Sequence, residues 1–270
     1  MAKKLVSVIV GGAGGRMGRT ILKLAHEDPS IRIGGAFERA DHEVVGRDIG
    51  DLIGSKPLHI SVHPDLRECI DRGTVVIDFT HALATEQHLE IAYEAKRAMV
   101  IGTTGLSKAF VNRLQAVSHK IPVVQAPNMS VGVNLLFQLV ASVAKALDTR
   151  YDAEIVEEHH RDKKDAPSGT ALELARLIAE ARKIKLDPNV IYGRHGVSEP
   201  RRKGIIGIHA VRGGDTVGSH TVSFMSDGER IDLTHRASSR EAFGYGALYA
   251  AKFIAKRRNG LYNMRQVLGL

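Results

Sequence analysis

The residues best suited to do chemistry sit in one stretch, Glu157-Glu158-His159-His160-Arg161-Asp162-Lys163-Lys164-Asp165-Ala166-Pro167-Ser168-Gly169-Thr170-Ala171. An imidazole such as His159 exchanges a proton near neutral pH. Lys163 supplies a fixed positive charge or a second acid. Gly169 and Thr170 open a helix, and a helix N-terminus favours a carboxylate. Together these groups describe a pocket for a small anion that is protonated as it reacts. The same residues also suit a hydrophilic connector leading into a capped helix, with Thr170 and Glu173 as its capping box. A metal centre is not expected. The stretch has no third histidine at helical ligand spacing, and the chain's one cysteine, Cys69, lies far away in sequence.

A second set lies near the N-terminus. Gly11-Gly12-Ala13-Gly14-Gly15-Arg16-Met17-Gly18 holds five glycines in eight residues, between an apolar run and a helical pattern. Glycines let backbone N–H groups approach a pyrophosphate, and the helix that follows stabilises its charge. The spacing Gly12-x-x-Gly15-x-x-Gly18 departs from G-x-G-x-x-G, so the strand–loop–helix context carries the reading. Glu38 follows Gly18 by 20 residues, at the end of the next apolar run, where a carboxylate accepts from adenosine ribose hydroxyls. Arg39 follows directly and suits the 2′-phosphate of NADPH. NADH and NADPH therefore both remain open. Gly102-Thr103-Thr104-Gly105 and Ala126-Pro127-Asn128-Met129 each end a strand-like run and are expected on the same ligand-binding edge.

The elements that must position these groups follow from periodicity. Strands are predicted over 5–10, 31–37, 60–62, 74–79, 98–101 and 121–125. Helices are predicted over 18–26, 82–97 and 107–119. Alternation of this kind argues for a parallel sheet covered on both faces. The pattern then changes. Helices are predicted over 133–147 and 170–183, a strand over 153–158, and a meander of strands over 205–211, 216–225 and 230–235. Gly213-Gly214-Asp215 and Asp227-Gly228 serve as its hairpin turns. A last helix over 239–256 is expected to return to the first domain. The fold class is thus α/β, with an N-terminal Rossmann-like domain and a second, α+β domain built on an antiparallel or mixed sheet.

Bulk properties narrow the class. The chain has 270 residues, 43% hydrophobic and 25% charged, which suits a globular protein of one or two domains. No apolar run reaches membrane-spanning length. Met1-Ala2-Lys3-Lys4 carries no apolar leader, so a cytoplasmic location is expected, and a single cysteine allows no internal disulfide. The net charge of +8 suits either a basic surface or anionic ligands, and nucleic acid is not expected without a nucleic-acid-binding signature.

The run from Glu157 to Ala171 resembles the signature E-x-H-H-x-x-K-x-D-A-P-S-G-T-A of the dihydrodipicolinate reductase family. The resemblance continues at Gly15-Arg16-Met17-Gly18, Asp78-Phe79-Thr80, Val100 to Gly105, Ala126 to Asn134, Val211 to Asp215, Gly218-Ser219-His220 and Thr234 to Arg240. It spans nearly the whole chain in order. One departure is Met129, where many members have Phe; Met fills similar apolar space. The resemblance implies a dinucleotide-binding domain over 1–128 and 240–270, and a substrate-binding and tetramerisation domain over 129–239. It implies His159 as proton donor and Lys163 as its partner. His160, Gly169 and Thr170 would hold the carboxylates of a small dicarboxylate. Gly12, Ala13, Gly14, Gly15, Arg16, Met17, Glu38, Arg39, Gly102, Thr103, Thr104, Ala126, Pro127, Asn128 and Met129 would line the site for NADH or NADPH. The reaction implied is reduction of 4-hydroxy-tetrahydrodipicolinate in diaminopimelate and lysine biosynthesis, by a homotetramer. Two other readings compete. A semialdehyde dehydrogenase needs a cysteine in its substrate half, which Cys69 does not supply. A non-catalytic dinucleotide-binding redox sensor would have no use for the His-His, Lys and Ser-Gly-Thr constellation.

Overall fold

The computed structural model describes residues 5–197 and 199–270; residues 1–4, read above as lacking a leader, lie outside them. The chain opens with β1 (Val6–Gly11), a VSVIVG run buried along its whole length, and turns through the glycines into α1 (Arg16–Glu27). β2 (Ile31–Phe37) follows, then a short α2 (Ile49–Ile53) and β3 (Val62–His63). Next come β4 (Val75–Asp78), α3 (Ala82–Glu94), β5 (Ala98–Ile101), α4 (Lys108–Ser118) and β6 (Pro122–Gln125). Ser107 caps α4 by accepting the Phe110 N–H. A second series comprises α5 (Val131–Ala146), β7 (Asp152–His159), α6 (Gly169–Ala181), β8 (Val190–Tyr192), β9 (Ile206–Arg212), β10 (Gly218–Ser226) and β11 (Glu229–Ala237). The chain ends with α7 (Glu241–Ile254), β12 (Gly260–Tyr262) and α8 (Met264–Leu268).

These elements form two compact units, Met1–Val131 with Arg240–Leu270, and Gly132–Ser239. The first holds a seven-stranded parallel sheet in the order β12-β6-β5-β4-β1-β2-β3. Alternate strand residues divide between two cores. Val8, Val10, Ile77 and Val100 meet α1, α7 and α8, whereas Ile9, Val76, Met99 and Val123 meet α3 and α4. From β1 the chain runs outward through β2 and β3, then restarts at β4 on the other flank of β1. That reversal opens a crevice at the carboxyl ends of β1 and β4, where open α/β sheets bind ligands.

The second unit holds a mixed sheet in the order β11-β10-β7-β9-β8. β7 is antiparallel to β10 and parallel to β9. The predicted meander is therefore half right. β10 and β11 form the hairpin at Asp227-Gly228, but β7 lies between β9 and β10, so Gly213-Gly214-Asp215 ends a crossing connection. Local turn chemistry cannot reveal a strand inserted from earlier in the chain. α5 and α6 bury Val140, Leu174 and Ile178 against Ile155, Ile208, Val222 and Phe224 on one sheet face. The opposite face is polar, with Thr221 and Thr234 joined at 3.0 Å and Glu154 taking Arg194, Arg201 and His209. The sequence reading omits α2, β8, β12 and α8. Each is five residues or shorter, too short to show a period. No helix among the described residues is long and apolar enough to cross a membrane.

Candidate functional site

In the second unit, period-two alternation along β7 places Glu157 and His159 on the helix-covered face. Glu157 is fully buried, and its register partner on β10 is His220. Arg212 at the end of β9 grips the Glu157 carboxylate with two N–H bonds of 2.8 and 2.9 Å. The Ser168 N–H donates to the same carboxylate at 2.9 Å, and His159 Nδ1 stands 2.5 Å from it. Ser168 is also the N-cap of α6: its Oγ accepts the Ala171 N–H and lies 3.1 Å from His220 Nε2. The capping-box expectation for Thr170 and Glu173 is thereby corrected. The helix starts one residue earlier than expected, because Ser168 takes the extended conformation that a cap needs, and Glu173 pairs with Arg176 instead. Gly169 and Thr170 occupy the first turn, and Gly169 faces open space.

Lys163 is held by Asp165 at 2.8 and 2.9 Å on the loop between β7 and α6. That loop is pinned to the β9–β10 connection by the His160 N–H donating to Thr216 O at 2.8 Å and the Gly213 N–H donating to His159 O at 3.0 Å. Burial pushes the His159 imidazole below its ordinary range; Glu157 works in the opposite sense, while Lys163 and Arg212 reinforce the lowering. Burial also tends to raise the Glu157 carboxyl, but Arg212, His159 and the Ser168 N–H outweigh it and hold it below the carboxylate range. His220, packed edge-on to His159 at 5.2 Å, is lowered by burial to about 4 and is neutral at physiological pH.

In the first unit the glycine loop hugs the crevice. Gly12 takes φ +70°, and the Gly15 N–H donates back to Gly12 O at 2.9 Å. A Cβ at Gly18 would overlap that same carbonyl oxygen, so loop and helix can close only on glycine. Gly15 caps α1 with no side-chain acceptor, and a helix N-terminus of this kind suits a phosphate. The Glu38 carboxylate accepts the Gly14 N–H at 3.0 Å and the Arg39 N–H at 3.0 Å. Arg39 itself is exposed, its Nε 3.4 Å from Asp41. Asp78, fully buried at the end of β4, is the hub of the next loops. Its Oδ1 accepts from Thr80 Oγ1 at 2.6 Å, Thr85 Oγ1 at 3.2 Å and Thr103 Oγ1 at 3.3 Å, while Oδ2 meets His88 Nδ1 at 2.6 Å. The Gly102 N–H donates to Asp78 O at 2.9 Å, and Thr80 Cγ2 would lie 3.1 Å from a Cβ on Gly12. One buried carboxylate thus fastens the loops after β4 and β5 beside the glycine loop. Met129 is 1% exposed and packs in the core, with Gly246 of α7 against its backbone.

Residues 6–129 match the family described as "Dihydrodipicolinate reductase, N-terminus", and residues 132–268 match "Dihydrodipicolinate reductase, C-terminus". The chain belongs to the dihydrodipicolinate reductase family. A 4-hydroxy-tetrahydrodipicolinate reductase of Syntrophus aciditrophicus is 48% identical over 265 residues, covering 98% of this chain and 99% of that one. The protein of the same description from Magnetococcus marinus is 47% identical over 264 residues, 98% of each chain. Among solved structures, a dipicolinate-bound dihydrodipicolinate reductase from Paenisporosarcina sp. TG-14 shares the fold, with a TM-score of 0.76 at 24% identity over 96% of this chain and 97% of that one. The chain is therefore a reductase, with the Rossmann-like parallel sheet and second mixed sheet of that family.

Within this reductase the residues expected to hold the cofactor gather at one edge of the parallel sheet: Gly12 to Met17, Glu38 and Arg39 around β1 and β2, and Gly102 to Thr104 after β5. Ala126 to Met129 follow β6 on the same edge. His159, His160, Lys163, Gly169 and Thr170 gather in the second unit, between the end of β7 and the start of α6. Sequence reasoning gave no role to Glu157, Arg212, His220, Asp78, Thr85 or His88. For Glu157 a usable signal existed, since two residues before His159 on a strand is the same face. Arg212 and His220 reach the site only through sheet order.

Proposed function

We propose that this reductase converts (2S,4S)-4-hydroxy-2,3,4,5-tetrahydrodipicolinate to 2,3,4,5-tetrahydrodipicolinate with loss of water, at the expense of NADH or NADPH, in diaminopimelate and lysine biosynthesis. The observation that carries the reading is the buried Glu157–His159 pair beside the start of α6, on a chain nearly half identical to proteins of that description. The crevice of the first unit fits a dinucleotide. Its glycines admit close backbone approach, α1 offers an uncapped N-terminus, and Glu38 is fixed where ribose hydroxyls would meet it. Gly12, Ala13, Gly14, Gly15, Arg16 and Met17 would hold the pyrophosphate. Gly102, Thr103, Thr104, Ala126, Pro127, Asn128 and Met129 would border the ring end. The bound nicotinamide supplies hydride to the conjugated ring of the dehydrated substrate.

The protein's own residues handle the charge and the proton. His160 and the N–H groups of Gly169 and Thr170 receive the substrate carboxylates at the first turn of α6. Hydride addition leaves negative charge on the conjugated system, and His159 quenches it by donating its proton. Lys163 stabilises the developing charge and shares in proton transfer. A positioned general acid contributes on the order of a hundred- to ten-thousand-fold. Arg39 would meet the 2′-phosphate of NADPH and Glu38 the ribose hydroxyls of NADH, so the site admits either cofactor. Membership of the family is the ground for proposing a homotetramer built through the mixed sheet and a cytoplasmic location.

The test is oxidation of NADH and NADPH followed by absorbance, with substrate generated in situ from pyruvate and aspartate semialdehyde by the preceding synthase. Rapid oxidation in the unmodified protein is expected. His159→Gln should cut turnover at least a hundred-fold while leaving cofactor binding intact. No oxidation with either cofactor, in folded protein that binds both, would overturn the assignment.

A further inference from the structure

We propose that Glu157 is the positioning residue of this reaction, a clamped carboxylate that fixes which nitrogen of His159 delivers the proton and ties that imidazole to the helix that receives the substrate. The inference rests on the reading of His159 as proton donor. Three independent donors converge on one fully buried side chain: the Arg212 guanidinium through two bonds, the Ser168 N–H and the His159 ring. An anion so held cannot rotate away, and at 2.5 Å it takes the proton-bearing Nδ1 of His159 as its partner. Nε2 is then the nitrogen left for the substrate. It lies toward Gly218, where a Cβ would stand 3.0 Å from it, so glycine at that position keeps the approach open. The link to Ser168 matters equally. Ser168 caps α6, so the carboxylate that orients the acid also sets the start of the helix carrying Gly169 and Thr170.

The charged and titratable groups facing His159 are Glu157 on its own strand, Lys163 on the following loop, Arg212 on β9 and His220 on β10. Lys163 and Arg212 disfavour the imidazolium, as does burial, and Glu157 alone favours it. His220 is buried and neutral, so it shapes the cage without adding charge. Removing the Glu157 charge therefore leaves His159 with only opposing influences. The imidazolium needed as acid, already the minor form at neutral pH, then becomes scarcer still.

The experiment begins with the unmodified protein. Nitrogen-15 shifts of the His159 ring, assigned by their absence in His159→Gln, report the tautomer of the neutral form. Protonation on Nδ1 is expected, and protonation on Nε2 would overturn the proposal with no variant involved. In Glu157→Gln the His159 titration should move down by about one unit or more. The alkaline limb of the turnover profile, where the acid is lost, should move to lower pH with it, and kcat at neutral pH should fall roughly ten-fold or more. KM for NADH should stay the same, because the cofactor residues belong to the other unit. Arg212→Lys, which keeps a cation but loses the two-pronged grip, should give a smaller shift of the same sign. A folded Glu157→Gln protein with unchanged titration and pH profile would refute the role of Glu157 even if His159→Gln were dead. Turnover retained in His159→Gln would instead overturn the reading of His159 as the acid.

Discussion

Asp78 shows how much a single buried side chain organises in this protein. Its carboxylate is held below the ordinary range: burial alone would raise it, but His88 and Thr80 more than compensate. Asp78→Asn leaves the Thr80, Thr85 and Thr103 hydroxyls with a poorer acceptor and takes the carboxylate partner from His88 Nδ1. The expected cost is about 3 kcal/mol by thermal or denaturant unfolding, in line with weakening several buried hydrogen bonds to a charged acceptor. A rise in KM for the cofactor should accompany it, because the loops after β4 and β5 share that anchor. Unchanged KM in a destabilised Asp78→Asn protein would mean that the network serves stability only. Arg39 makes a different case. It is exposed and, among the described residues, its side chain pairs with Asp41 alone, so Arg39→Ala should leave folding unaffected. It should raise KM for NADPH several-fold while sparing NADH, and equal effects on both would remove Arg39 from cofactor choice.

Among elements, β7 carries the greatest burden. It is the central strand of the mixed sheet, and its two faces place a carboxylate in each of two charge clusters. On the polar face, Glu154 tends upward through burial but is brought down to about 2 by Arg194, His209 and Arg201. On the helix-covered face, its neighbour strand β10 carries His220, lowered by burial from 6.5 to about 4. Both folded-state values lie below the unfolded ones, so each group stabilises the fold above its unfolded pKa and loses that contribution as pH falls. Two stages of acid destabilisation should appear in urea titrations monitored by circular dichroism. The first runs from pH 6.5 down to about 4 and includes His220, together with His159 and His235, whose imidazoles burial also lowers. The second runs from 4.5 down to about 2 and includes Glu154, with Glu157 and Asp78 lowered beside it. His220 contributes at most on the order of 3 kcal/mol to the first stage, and His220→Asn should shrink it by that share. A wild-type stability that stays level between pH 6.5 and 4 would contradict this account of His220.

For the whole molecule, the net charge of +8 acts at long range. The proposed substrate and cofactor are both anionic, so kcat/KM should fall as ionic strength rises while kcat changes little. Assays across a salt series would check this, and a flat kcat/KM would show that the charge has no part in steering. The proposed tetramer predicts a solution mass four times the 29.4 kDa chain by light scattering. A monomer at assay concentrations would exclude assembly through the mixed sheet.

Composition and local pattern determined a good deal of this protein by themselves. The apolar runs at 6–11 and 98–101 are buried parallel strands because apolar residues on both faces suit a sheet covered on both sides. Gly12, Gly15 and Gly18 announced a close backbone turn because any Cβ there is costly. His159, Lys163, Gly169 and Thr170 were legible as one cluster because they are contiguous in the chain. The tertiary structure decided what contiguity cannot express. It put β7 between β9 and β10, and that order alone brings Arg212 and His220 to Glu157 across 55 and 63 residues of sequence. It moved the cap of α6 from Thr170 to Ser168, because the buried carboxylate of Glu157 claims the Ser168 N–H. It also drew Asp78, Thr85, His88 and Thr103 into one network through the pairing of β4 with β5 and the packing of α3. Local sequence sets which backbone shapes are cheap. Long-range pairing sets which charges meet in the low-dielectric interior, where an unpartnered carboxylate costs several kcal/mol, on the order of 3 to 5.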